Sequence, residues 1–298
     1  MSTCSATVTV LDTIKPMPIC QDITVYLDVV GMASIASSDI DNGSTDACGI
    51  KTMTIDSSNF DCTEIGINMV KLTVTDNNDN VATCMSEVTV LDTIPPTAIC
   101  QDITVYLDVT GNVSISENDI NNGSSDACGI QSISIDSSNF DCAEVGMNTV
   151  LLTITDVNGN VDTCSSVVTV LDTISPTAIC QDITIYLDFD GMASITAAQI
   201  DNGSTDNCSV ESITIDSSNF DCSEVGMNTV VLTVTDASGN VDMCTSIVTV
   251  LDTISPTIIC NNPTIELAVG GTATITPEQI DNGSFDACGI ASMSLSKT

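Results

Sequence analysis

The sequence returns on itself every 80 residues. VTVLDTIKPMPICQDITVYLD from Val8 reappears as VTVLDTIPPTAICQDITVYLD from Val88 and VTVLDTISPTAICQDITIYLD from Val168, and VTVLDTISPTIIC begins again at Val248. A fixed period of this length requires a row of similar modules, each one structural unit packed on its neighbours. The phase of the repeat divides the chain: residues 1–14 match the end of a preceding module, 15–94, 95–174 and 175–254 are complete modules, and 255–298 match a module's first half. The chain thus reads as a window cut from a longer polymer. The alternative is donor-strand assembly, in which the strand carrying Cys4 completes the broken last module of a neighbouring copy; it leaves the residues equivalent to 60–80 unsupplied. Enzymes seldom need one surface presented four times in register, whereas filaments, stalks and adhesins do.

Forty acidic residues stand against four basic ones, all lysines, with no histidine and no tryptophan, for a net charge of −36. Nucleic-acid affinity comes mainly from Lys and Arg displacing counterions, so this composition excludes a phosphate-seeking surface and disfavours an anionic membrane. Without His or Arg most general-base, oxyanion-clamp and mixed His/Cys metal designs are missing, and no module departs from the others with an extra acid pair in a cleft. The expectation is that the chain is not an enzyme. No apolar run approaches the roughly 20 residues that span a bilayer, so no direct membrane insertion is expected.

Fifteen cysteines fall on four repeat positions, Cys20, Cys48, Cys62 and Cys84 with their equivalents, plus Cys4, Cys260 and Cys288 at the ragged ends. Four per module at fixed spacing, without histidine or CxxC pairs for zinc, reads as two disulfides per module and an oxidising, extracellular location.

Short strands with period-two alternation, rich in Val, Ile and Thr and broken by Gly, Asn, Asp and Ser, predict an all-β chain of tandem immunoglobulin-like β-sandwich modules of about 80 residues in an elongated rod. In the second module seven strands are expected near 102–108, 112–120, 130–136, 139–142, 144–147, 149–155 and 162–171, with no helix; the SENDI run at Ser116 reads as a strand-end bend. If these strands run up and down, all four cysteines collect at the end facing the preceding module. That topology pairs Cys100 with Cys164 and Cys128 with Cys142, and likewise Cys20 with Cys84, Cys48 with Cys62, Cys180 with Cys244 and Cys208 with Cys222. Four cysteines allow three connectivities, so spacing alone leaves the choice open.

The same topology gathers acids. The LDTI linkers contribute Asp12, Asp92, Asp172 and Asp252; the DNGS-type loops contribute Asp46, Asp126, Asp206 and Asp286; the TDxxGN loops contribute Asp76 with Asn80, Asp156 with Asn160, and Asp236 with Asn240. A cluster of carboxylates is unfavourable without a cation, and Ca²⁺, which takes six to eight oxygen ligands, is the natural occupant. Each loop alone is also ordinary turn chemistry. Asp61, Asp141 and Asp221, with Glu64, Glu144 and Glu224 three residues on, form a second, weaker candidate. Pro16, Pro96, Pro176 and Pro256 stiffen linkers that lack any Gly/Ser spacer, and a cation held there would remove the remaining bend.

DTxxPTxxC, a DxC element and TDxxGNxxxC before a Val-rich closing strand resemble hyalin-repeat modules, and more broadly the tandem immunoglobulin-like repeats of large bacterial surface proteins such as Bacteroidetes adhesins. The resemblance covers the whole chain, module by module. It implies extracellular adhesion and calcium at module junctions, on the Asp and Asn positions above. Asp79 departs from it where other modules carry Gly, as do Asn262 and Glu266 in the last module. The DTI triplets at Thr13, Thr93, Thr173 and Thr253 resemble an O-glycosylation motif of that group. The NGS sequons at Asn42, Asn122, Asn202 and Asn282 read as turn chemistry.

The expected function is an extracellular, calcium-stiffened, disulfide-bonded filament or adhesin stalk on the cell surface or secreted. Its partners would be copies of itself, or continuing repeats of the same chain, and surface glycans. The alternative is a carbohydrate- or surface-binding adhesin array, which would want a module with unusual aromatic loops; with three Tyr and five Phe in the sequence, none is expected.

Overall fold

The computed structural model describes residues 1–297. The chain is nearly all β and is built of three repeated β-sandwich-like units of about 80 residues. The first contains β1 (Ile23–Tyr26), β2 (Met32–Ser34), α1 (Ser37–Ile40), β3 (Ile50–Ile55), β4 (Asn59–Asp61), β5 (Gly66–Asp76) and β6 (Val81–Leu91). The same succession recurs as β7 (Ile103–Tyr106) to β12 (Val161–Leu171) with α2 (Glu117–Ile120), and as β13 (Ile183–Tyr186) to β18 (Val241–Leu251) with α3 (Ala197–Ile200). The fourth, partial module carries α4 (Pro277–Ile280).

Two compact units make up the chain. One comprises Met1–Thr104, Ser114–Asn139 and Met147–Thr169; the other comprises Val105–Val113, Phe140–Gly146 and Val170–Thr298. Within the first, β1, β6, β5 and β3 form a four-stranded sheet in that order, and β2 pairs with β4. β1 runs parallel to β6, Ile23 opposite Val88 and Tyr26 opposite Leu91. β5 is antiparallel to both β6 and β3. Within the second unit, β13 is likewise parallel to β18, and β17 (Gly226–Asp236) is antiparallel to it.

Alternation in β5 and β6 drives Val70, Leu72, Val74, Val88 and Val90 inward, where they meet Leu27, Ile35, Ile40 and Phe60 in the first module's core. The equivalent set, from Leu187 to Val250, fills the third. Burying each such side chain contributes about 1.5–3 kcal/mol.

Three sequence expectations need correction. Each complete module has six strands, because the segments expected as two strands near 144–147 and 149–155 form one eleven-residue strand, β11 (Gly146–Asp156). The segment expected as a strand to Ile120 ends at Ser114 and continues as one helical turn, α2. Asp119 closes the turn from one side: its Oδ2 accepts the Ser116 amide and hydroxyl at 2.7 and 2.8 Å, while its own amide donates to Ser116 O at 3.1 Å. Ile120, fully buried, anchors the turn. A carboxylate holding the entering amide, before a buried Ile, outweighs the weak strand pattern.

The third correction decides the disulfides. β1 is parallel to β6, β5 is antiparallel to β6 and β3 is antiparallel to β5, so β3 runs with β1. The tight turn in which the Asp28 amide donates to Met32 O reverses β2 against β1, and β4, antiparallel to β2, therefore runs in the same direction as β3. The chain therefore crosses from one sheet to the other at Asp56–Ser58 without reversing. Cys62, at the end of β4, is carried to the β1–β2 turn, at the far end of the module from Cys20.

Candidate cation and disulfide joint

Each joint is assembled from the linker, the DNGS-type loop and the trailing turn of the module before. In the linker, Asp92 Oδ1 accepts the Ile94 amide at 3.0 Å, and Asp12, Asp172 and Asp252 make the same turn with Ile14, Ile174 and Ile254. The strand after it pairs with the loop through the bridges Thr97 to Ser125 and Cys100 to Asn121. In the loop, Asp126 Oδ1 accepts the amides of Cys128 and Gly129 at 2.8 and 3.0 Å. Asp206 Oδ2 accepts Cys208 and Ser209 at 2.8 and 3.0 Å. These short turns bring the linker and loop carboxylates together.

At four places a linker Asp, a loop Asp and the following Cys sulfur lie within 4.8 Å of one another: Asp12, Asp46 and Cys48; Asp92, Asp126 and Cys128; Asp172, Asp206 and Cys208; Asp252, Asp286 and Cys288. Asp172 is only 6% exposed. Asp206 Oδ1 and Asn207 Oδ1 are buried without a hydrogen-bond partner. Asn207 replaces the alanine found in the other loops, and its amide donates to Asp108 O and Asp172 Oδ1, both at 3.3 Å. Among the described residues no joint aspartate has a lysine partner, the salt bridge being Lys51 Nζ with Asp79 Oδ1 at 2.6 Å.

The TDxxGN aspartates stand outside these groups of three. Asp76, Asp156 and Asp236 are fully buried. Asp156 Oδ1 accepts the amides of Asn158 and Asn160, each at 2.8 Å, and Oδ2 accepts Asn160 Nδ2 at 2.8 Å. Asp76 is held in the same way by Asn78 and Asn80, and Asp236 by Ser238 and Asn240. Burial alone would raise the Asp76 and Asp156 pKa values, but the Asn side-chain and backbone donors outweigh it and hold both below the ordinary value. Asn160 Nδ2 also reaches Asp92 O and Ile94 O at 3.3 and 3.4 Å, tying this loop to the linker. Asn80 ties Asp12 and Ile14, and Asn240 ties Asp172 and Ile174.

The second acidic candidate is spent on capping. Asp61 accepts the Thr63 amide at 2.7 Å while its own amide donates to Glu64 Oε2 at 2.9 Å, closing the 3₁₀ turn Cys62–Glu64. Asp141 with Glu144 and Asp221 with Glu224 cap the next two turns.

Among the described residues there are six disulfides. Cys20–Cys84, Cys100–Cys164 and Cys180–Cys244 each span 64 residues inside one module, the pairing expected from the sequence. Cys62–Cys128, Cys142–Cys208 and Cys222–Cys288 span 66 residues and join one module to the next. The expected pairs Cys48–Cys62, Cys128–Cys142 and Cys208–Cys222 do not form, because β4 delivers Cys62 and its equivalents to the wrong end of their own module. Cys48 is free and exposed, as are Cys4 and Cys260. At each joint the trailing-turn glycine lies under the bond: a Cβ on Gly31 would sit 2.7 Å from Cys62 Sγ and 3.3 Å from Ala127 Cβ. The loop cysteine also packs on the preceding module's core, Cys128 on the first and Cys288 on the third.

Thr13, Thr93, Thr173 and Thr253 are all exposed, as are Asn42, Asn122, Asn202 and Asn282. The sequon serines serve the loop itself: Ser44 Oγ accepts the Ile19 amide at 3.0 Å. Pro16, Pro96 and Pro176 are buried in the linkers, while Pro256 is exposed.

No family model matches the chain and no curated protein matches it. Among solved structures it is similar to the extracellular cadherin domains 1–4 of protocadherin gamma B7, at 13% identity and a TM-score of 0.33, over 84% of this chain and 79% of that one. It is also similar to titin domains I67–I69 in an E-to-A variant, at 10% identity, TM-score 0.34, with 80% and 97% covered. Mouse cadherin-23 EC22–24 aligns at 15% identity, TM-score 0.32, with 80% and 99% covered. At these scores the fold assignment rests on the strand order and register of the chain itself. No helix among the described residues is long and apolar enough to cross a membrane.

Proposed function

We propose that this chain is part of an extracellular structural protein of hyalin-repeat type, a filament or adhesin stalk whose modules are fixed end to end by disulfides and by a Ca²⁺ ion at each joint. The observation that carries the reading is the joint at Asp172 and Asp206. A carboxylate with 6% exposure meets a second one within 4.8 Å, and an Asp206 oxygen is buried with no donor. Buried anionic oxygens need a compensating partner, and a pair of carboxylates with no lysine at hand, beside a cysteine sulfur already held in a disulfide, fits a hard divalent cation. Asp172, Asp206 and the Asn207 amide oxygen would hold it there, with Asp92 and Asp126 at the joint before. Six disulfides support an oxidising location outside the cell.

The test is calorimetric titration of EGTA-treated, oxidised chain with CaCl₂, paired with small-angle scattering. Binding at the joints, a narrower and longer particle, and loss of one ion in Asp172→Asn/Asp206→Asn are expected. No binding heat, with identical scattering and melting in EGTA, overturns the calcium reading.

A surface-binding adhesin array is the second reading. It is favoured by Phe189, which stands 83% exposed at the tip of an acidic turn. Loss of glycan-array binding in Phe189→Ala would support it, and a blank array for the parent chain would remove it. For the exposed DTI threonines, a mass ladder on intact protein from the native source is the sign of glycan, and a single mass discards it.

A further inference from the structure

The two kinds of disulfide interleave in a way that neither kind implies alone. From Cys84 the chain runs sixteen residues to Cys100, crosses to Cys164, runs sixteen residues to Cys180 and crosses to Cys244. A second route begins at Cys62, crosses to Cys128, runs fourteen residues to Cys142, crosses to Cys208, and runs fourteen residues to Cys222 and its bond with Cys288. The routes share no residue. The first uses each closing strand from its fourth residue onward and the linker; the second uses β9 (Ile130–Ile135) and β10 (Asn139–Asp141) in the second module, and β15 (Val210–Ile215) and β16 (Asn219–Asp221) in the third.

We propose that the chain is a load-bearing tether with two parallel covalent rails, so that tension along it cannot draw out its modules and a break in one rail does not part it. This rests on the reading of the protein as a structural strut and adds what that strut withstands. A pull entering at Cys100 leaves through Cys164, bypassing residues 101–163 with most of the core. Sixteen residues at about 3.3–3.6 Å each, plus one disulfide, cap each repeat at roughly 60 Å fully stretched; a repeat of 80 residues without disulfides reaches roughly 280 Å. The segment from Cys84 already runs as the end of β6 and then an extended linker, so little slack is left below that cap. The Cys62–Cys128 bond doubles the joint across the Asp92–Cys100 linker.

Single-molecule pulling of the oxidised chain, in CaCl₂ and again in EGTA, tests the first rail. No step longer than about 60 Å is expected in either buffer, with steps of more than about 200 Å appearing after reduction. Long steps in the oxidised chain overturn the proposal. The limit is covalent and therefore the same in EGTA, so failure of calcium binding leaves it standing. For the second rail, a protease site is inserted after Thr93 and cut. The nicked chain should migrate as one species without reductant and as two with it, while Cys62→Ser/Cys128→Ser should separate on cutting alone. Separation of the nicked parent chain without reductant contradicts the second rail.

Discussion

Cys62 and Cys128 are bonded across 66 residues and a module boundary, with their Cα atoms 5.2 Å apart. The loop cysteine of every following module is therefore the partner of the module before it, and the repeat is covalently coupled to its neighbour at a point other than the linker. A loop of this size contributes about 4 kcal/mol in the chain-entropy model. Cys128 also packs on the first module's core, so the bond joins folded structure to folded structure.

Asn160→Ala should weaken the second module, because Asp156 loses a side-chain donor and the linker loses two bonds to its carbonyls. A loss of about 1–3 kcal/mol is expected in urea unfolding. Asp76 and Asp156 have pKa values below 3.8 in the folded chain. Their contribution is complete above that value and is lost as pH falls through it toward the folded pKa. With no histidine in the chain, stability should be flat between pH 5 and 8, and the acid transition of Asn160→Ala should start at a higher pH than that of the parent. A stability step near pH 6.5 would contradict this.

Gly111 and Gly123 both have positive φ, 74° and 85°. A Cβ at Gly111 would lie 2.7 Å from Cys142 Sγ and 2.8 Å from Asn207 O, whereas one at Gly123 meets nothing within 4 Å. Gly123→Ala should cost only the backbone penalty of about 1–2 kcal/mol. Gly111→Ala should cost clearly more, since a disulfide and a main-chain oxygen have to move. Equal melting temperatures for the two variants would show that the joint is not closely packed.

The linker, the loop and the acids at their meeting point were legible in the sequence, because LDTI and DNGS-type turns place Asp by local hydrogen bonding that travels with the motif. Asp92 with Asp126 and Asp172 with Asp206 meet as that reasoning expects. Asp156 does not join them, since the amides of its own turn satisfy both its oxygens, a detail the TDxxGN motif shares with ordinary turns. The Cys100–Cys164 pairing followed from the parallel closure of first and last strands. Cys128–Cys142 was misread because a three-residue connection after Ile135 looks like a hairpin turn. Whether it reverses the chain or carries it onward into the other sheet depends on tertiary packing and not on the residues of the turn. The helical turn at Ile120 had a legible signal in Ser116 and Asp119 and was missed because its strand-like surroundings outweighed it.

Cys48 is exposed, and its thiol pKa is raised, first by the hydrogen bond to Asp12 and then by the charges of Asp12, Asp46 and Asp76. The thiolate is the nucleophile, so alkylation by iodoacetamide at pH 8 should be slow at this position. Asp12→Asn should speed it several-fold, read by peptide mass spectrometry over time. An unchanged rate in that variant would place the carboxylate away from the sulfur.

The central claim is that disulfides cross the three joints between consecutive modules of the chain, and non-reducing peptide mapping of the oxidised chain tests it most directly. Linked peptides containing Cys62 with Cys128, Cys142 with Cys208 and Cys222 with Cys288 are expected, alongside Cys20–Cys84, Cys100–Cys164 and Cys180–Cys244. Peptides joining Cys48 to Cys62, Cys128 to Cys142 and Cys208 to Cys222 would contradict it and return each module to covalent independence.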